Sequence, residues 1–103
     1  MEVTLQYFDD CANWRVALSR LQEVLGKDHE IGLQLVETFE DAERLGFRGS
    51  PTVLIDGADP FADASAPIGF ACRVYRTEGG MDGAPSIEQL RDALGRDADR
   101  GSQ

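Results

Sequence analysis

A chain of 103 residues carries one domain with a modest core, and its 42% hydrophobic residues include no apolar run near the roughly 20 needed to span a bilayer. Ten basic residues against nineteen acidic ones give a formal charge of −9, which argues against nucleic acid and against an anionic membrane surface, since both need a basic patch. The start, MEVTLQYFDD, lacks the basic and apolar blocks of a secretory signal, so a cytoplasmic protein is expected, and two cysteines are too few for a disulfide framework.

Residues 2–8, EVTLQYF, alternate with Val3, Leu5 and Tyr7 on one face and predict a strand. From Asn13 the period changes, and Trp14, Ala17, Leu18, Leu21 and Leu25 recur at helical spacing until Gly26. Residues 31–36, IGLQLV, alternate again and predict a second strand, parallel to the first because a helix joins them. Thr38 caps a short helix, with Asp41 three residues on in a capping-box arrangement, and Gly46 ends it. Residues 52–55, TVLI, predict a third strand closed by Asp56-Gly57, followed by an irregular excursion over 58–71. Residues 72–76, CRVYR, predict a fourth strand, and the glycines of 77–85 a loop. Ser86 and Gln89 cap a last helix with an Ile87, Leu90 and Leu94 stripe, ended by Gly95; residues 96–103 then form a polar tail to a 1–95 domain.

The order is β-α-β-α-β-β-α, and one stretch makes it specific. In Leu45–Gly57, LGFRGSPTVLIDG, a short helix ends at Gly46, Phe47, Arg48 and Gly49 follow, and Ser50-Pro51-Thr52 leads into an apolar strand. This resembles the thioredoxin-like superfamily. The resemblance implies an α/β fold with a central mixed four-stranded sheet and helices on both faces. It also implies a cis Ser50–Pro51 peptide beside a reactive cysteine, with Ser50 and Pro51 bordering a groove for an extended substrate segment. Cys11, after the first strand and before the first helix, takes the position of the family's reactive cysteine. The chain departs from Cys-x-x-Cys, since Cys11-Ala12-Asn13-Trp14 puts tryptophan at the resolving position. It is similar instead to small thioredoxin-like proteins with a Cys-x-Asn-Trp-like motif and a downstream Cys-Arg-x-Tyr, here Cys72-Arg73-Val74-Tyr75.

A thiol at a helix N-terminus faces unpaired N–H groups and the positive end of the helix dipole, and both favour the thiolate. Asp9 and Asp10 oppose this, and Arg48 offsets them if its loop approaches Cys11. Trp14 reads first as core, by its period with Ala17, Leu18 and Leu21, and second as a flat wall that shields Cys11 or stacks on a substrate. Cys72, at a strand start, reads as a buried core thiol at the pole away from Cys11. It becomes the resolving thiol only if the 58–71 connection climbs back and brings the two Cα atoms within about 7 Å.

The expectation is therefore a thiol redox protein reacting through Cys11 alone, by thiol–disulfide exchange or thiol sensing. A partner protein or a low-molecular-weight thiol supplies the second sulfur. Whether it turns over as a thiol–disulfide oxidoreductase stays open. The alternative is a non-catalytic binding module that uses the groove beside Pro51. No cofactor is expected, and no metal site, because the cysteine and histidine spacings match no zinc pattern.

Overall fold

The computed structural model describes residues 1–26, 28–62 and 66–101, with 96–101 as backbone only. The elements are β1 (Val3–Tyr7), α1 (Asn13–Leu25), β2 (Ile31–Leu35), α2 (Phe39–Leu45), β3 (Thr52–Ile55), β4 (Tyr75–Thr77), β5 (Gly80–Asp82) and α3 (Ile87–Gly101). β1 is the central strand. It runs parallel to β2, with Val3 opposite Ile31 and Tyr7 opposite Leu35, as a strand–helix–strand connection allows. It runs antiparallel to β3, with Val3 opposite Ile55 and Gln6 opposite Thr52. That register places Val3, Leu5, Val53 and Ile55 on one face. Ala17 and Leu21 of α1 close over them together with Leu90, Ala93 and Leu94 of α3, forming the main core. Each buried valine, leucine or isoleucine among them contributes about 1.5–3 kcal/mol by leaving water. Gln6, only 3% exposed, is satisfied across the ladder, its Nε2 donating to Gln34 Oε1 at 2.8 Å.

A second, smaller cluster of Val36, Ala42 and Phe47, with Phe8, Leu45 and Ile68 packed against it, ties α2 to the far end of β1. Thr38 caps α2 as expected, its Oγ1 accepting from Asp41 N at 3.0 Å, while the Asp41 carboxylate is taken by Arg44 at 3.1 Å. Gly46 ends α2 in the left-handed conformation, φ 67°, and Phe47 N returns to Ala42 O at 2.8 Å. The loop after α2 is thereby delivered to the place where β1 passes into α1.

Three expectations change. The described residues form a three-stranded mixed sheet with three helices, not a four-stranded sheet covered on both faces; β4 pairs with β5 in a separate hairpin. The cause is Cys72, which bridges in parallel to Ser50 and so commits the expected start of the fourth strand elsewhere. The expected loop over 77–85 holds β5, whose one large apolar residue, Met81, is 65% exposed and gives no alternating signal. α3 continues through Gly95 to Gly101, because one interior glycine costs a helix only about 1 kcal/mol. The boundary of 1–95 thus falls inside a helix, and of the expected 96–103 tail, Ser102 and Gln103 lie outside the described residues. Among the described residues no helix is long and apolar enough to cross a membrane.

Candidate functional site

Cys11 is fixed by the turn that ends β1. Phe8 meets the rings of Phe47 and Phe70 edge-on, at centroid distances of 6.4 and 5.4 Å. Cys11 N donates back to Phe8 O at 3.3 Å, which closes the turn. Ala12, the N-cap of α1, offers no side-chain cap, and the first turn of α1 carries no acid. The positive end of α1 therefore acts on Cys11 without a side-chain oxygen in competition. Cys11 itself is only 2% exposed.

Ser50 joins three parts of the chain. Its Oγ accepts from Phe8 N at 3.3 Å, and its carbonyl oxygen lies 3.7 Å from Cys11 Sγ. Its backbone pairs with the returning segment, Ser50 N donating to Ala71 O and Arg73 N to Ser50 O, both at 2.8 Å. The Ser50–Pro51 peptide is cis. Ser50 and Pro51 were expected to border a substrate groove; both side chains are fully buried, and residues 71–73 of the same chain lie along Ser50. Gly49 makes this approach feasible. Its φ is 132°, and a Cβ there would sit 3.1 Å from both Ala71 O and Arg73 Cβ.

Cys72 therefore does not stand at the opposite pole, nor is it buried. It is exposed, it lies 5.8 Å from Cys11 Cα to Cα, and the two form a disulfide across 61 positions of sequence. The expectation that Cys72 is a buried thiol remote from Cys11 is corrected by this geometry. The physical reason is the segment 69–73, which runs back along Phe47 and Ser50 by backbone hydrogen bonds before β4 begins.

The residues after Cys72 hold the arrangement in place. Arg73 donates to Asp59 at 2.7 Å, to Thr52 Oγ1 at 3.3 Å and to the Phe61 carbonyl, and its guanidinium lies 4.7 Å from the centre of the Tyr75 ring. Tyr75 Oη donates to Pro51 O at 2.5 Å. Burial pushes the Tyr75 phenol well above the ordinary tyrosine value, against a smaller downward pull from Arg73. Neither Arg73 nor Tyr75 was singled out from the sequence as a site residue. The only signal for them was their place in Cys72-Arg73-Val74-Tyr75.

Trp14 is half-buried and packs against the main core, with Tyr7 stacked on its ring at 4.3 Å and the Arg15 guanidinium 5.3 Å away. Those partners match its role as packing. Asp9, Asp10 and Glu37 line a cleft of about 510 Å³ floored by Phe8, Val36 and Phe70. Arg48 does not turn to that acidic side; it donates to the Ala66 carbonyl and lines a groove of about 490 Å³ that contains Cys72.

Such a site can undergo thiol–disulfide exchange, in which the Cys11–Cys72 bond is reduced to two thiols as two thiols of a partner are oxidised to a disulfide. Compared with protein-family models, curated proteins and solved structures, the chain matches none.

Proposed function

We propose that this chain is a thioredoxin-like thiol–disulfide redox protein whose working pair is Cys11 and Cys72. One observation carries the reading: a buried cysteine at a helix N-terminus is bonded to an exposed cysteine beside a cis-proline. A purely structural bridge has no need of an exposed cysteine, whereas exchange requires that a thiolate reach one of the two. The finer fold assignment belongs to the same proposal. The β4–β5 hairpin would stand where a thioredoxin-like sheet continues, and the element order and the Gly-Ser-Pro-Thr turn support this. The partner is a protein or a low-molecular-weight thiol, and a cytoplasmic setting, where such bonds are transient, suits a working pair.

The test is a redox titration read by intact mass. Mild oxidation of the reduced protein should remove two hydrogens and leave a monomer. Cys11→Ser and Cys72→Ser should each abolish that species and give mixed disulfides instead. A bridge that resists excess small thiol until the protein is unfolded would mark it as structural and overturn the redox reading.

A second reading, a non-catalytic binding module, draws on the Phe8 cleft with its acidic rim. That surface suits a basic segment with an apolar anchor. It predicts that partner binding survives in the Cys11→Ser, Cys72→Ser double variant, whereas the redox reading predicts its loss.

A further inference from the structure

Two surface clefts near the bridge differ in charge, and of the two cysteines only Cys72 lines one of them. The Phe8 cleft carries Asp9, Asp10 and Glu37. In the groove that Cys72 lines, the described residues include Arg48, Arg73 and Arg76 and no acid. Three of the ten basic residues thus converge on one groove of a chain whose charge is −9. Arg73 is held by Asp59, but Arg76 is exposed, and Val74 and Met81 beside it are 59% and 65% exposed.

Resting on the redox reading, we infer that Cys72 is the sulfur open to exchange, and that its groove selects a thiol carrying carboxylates. Accessibility sets the direction, while for the leaving group the helix dipole favours a Cys11 thiolate and Asp9 and Asp10 oppose it. Cys72 is exposed and Cys11 is 2% exposed, so an incoming thiolate reaches Cys72. Its electron pair forms the new bond to Cys72 Sγ, the Cys11–Cys72 bond breaks, and that pair leaves on Cys11, at the positive end of α1. The Cys11 thiolate then takes up a proton. A second thiolate attacks the reagent's sulfur in the mixed disulfide and expels Cys72 as thiolate, which is also protonated. Two thiols are oxidised to one disulfide, and one protein disulfide is reduced to two thiols.

The overall charge and the local charge make opposite demands on the substrate. The field of the whole chain repels an anionic thiol; the exposed Arg76 of the groove attracts it, Arg73 being already paired with Asp59. At about 0.1 M salt, charges more than roughly 10 Å away are largely screened, so the groove dominates.

The experiment reduces the oxidised full-length protein with 3-mercaptopropionate, 2-mercaptoethanol or cysteamine, which are anionic, neutral and cationic. Each rate is expressed per thiolate and divided by that thiol's rate with bis(2-hydroxyethyl) disulfide, which removes differences in intrinsic nucleophilicity. The normalised rates should fall in the order anionic, neutral, cationic, by about threefold per unit charge, the factor for charges about 7 Å apart in water. Arg76→Gln should flatten the series and Arg76→Glu should invert it, with urea midpoints confirming that both variants fold. Acid-quenched mixed disulfide should map to the peptide containing Cys72. A charge-independent series, a cationic preference, or a mixed disulfide on Cys11 would each overturn this inference while leaving the redox reading intact. Failure of all three thiols to reduce the folded protein would overturn the redox reading, and this inference with it.

Discussion

Arg73 and Tyr75 are the residues on which the geometry of the cysteine pair depends. The Arg73 side chain is 11% exposed and its partner Asp59 19% exposed, so replacing arginine by methionine leaves a largely buried carboxylate without its cation. Loss of one partner of such a pair costs about 2–3 kcal/mol after allowance for partial solvent access. Arg73→Met should therefore lower the urea midpoint by that equivalent and slow closure of the bridge; a change below about 0.5 kcal/mol would show that Arg73 is dispensable. Tyr75 makes a different prediction. Its phenol has a raised pKa in the folded protein, so above the unfolded value of about 10 the unfolded chain loses this proton first. Stability from this group is complete below about pH 10 and falls as pH rises beyond it, by at most about 1.4 kcal/mol per pH unit. Tyr75→Phe removes that alkaline slope, and at neutral pH it costs about 1–3 kcal/mol because the buried Pro51 carbonyl loses its donor. Denaturant titrations at several pH values compare the two directly.

Among the elements, the turn between α2 and β3 controls whether the returning segment can seat. Gly49→Ala puts a Cβ 3.1 Å from the Ala71 carbonyl oxygen and from Arg73 Cβ, at a φ that side-chain-bearing residues rarely adopt. The neighbour on one side is backbone and cannot swing away, so destabilisation of about 2–3 kcal/mol is expected. The same variant should form the Cys11–Cys72 bond less completely at a fixed thiol–disulfide ratio, and an unchanged oxidised fraction would refute this account. The last helix supplies a contrast. Gln89 N donates to Ser86 Oγ at 3.1 Å and Ser86 N to Gln89 Oε1 at 3.0 Å, a reciprocal cap that makes no hydrogen bond to Ser50 or to residues 71–73. Ser86→Ala should cost about 1 kcal/mol and leave the oxidised fraction unaltered.

For the molecule as a whole, a bridge across 61 positions restricts the unfolded chain by about 4 kcal/mol in the loop-entropy treatment. Cys11→Ser and Cys72→Ser should each lose up to that amount relative to the oxidised protein and match the reduced protein within about 1 kcal/mol. A single variant much less stable than the reduced wild type would mean that its thiol packs in the core as well as bonding; Cys11, the buried partner, is the one to watch. Urea denaturation with and without reductant makes the measurement.

Local pattern was sufficient for much of this. The period-two alternation of Val3, Leu5 and Tyr7, the helical stripe of Ala17 and Leu21, the Thr38 and Ser86 caps and the Gly46 stop depend on neighbours within a turn or a pleat, so they are legible in one dimension. So was Cys11 before a helix, whereas the cis conformation of Ser50–Pro51 was implied by the resemblance that Leu45–Gly57 carries. The position of Cys72 was not legible. Its meeting with Cys11 depends on the path of residues 58–71, where no hydrophobic period constrains the chain, and on Gly49 leaving room for a backbone twenty-odd residues further on. The pairing of Arg73 with Asp59, the Tyr75–Pro51 hydrogen bond and the groove that Cys72 shares with three arginines follow from the same return of the chain along Ser50. They are contacts between segments remote in sequence, which composition and spacing do not encode, and only the tertiary structure decided them.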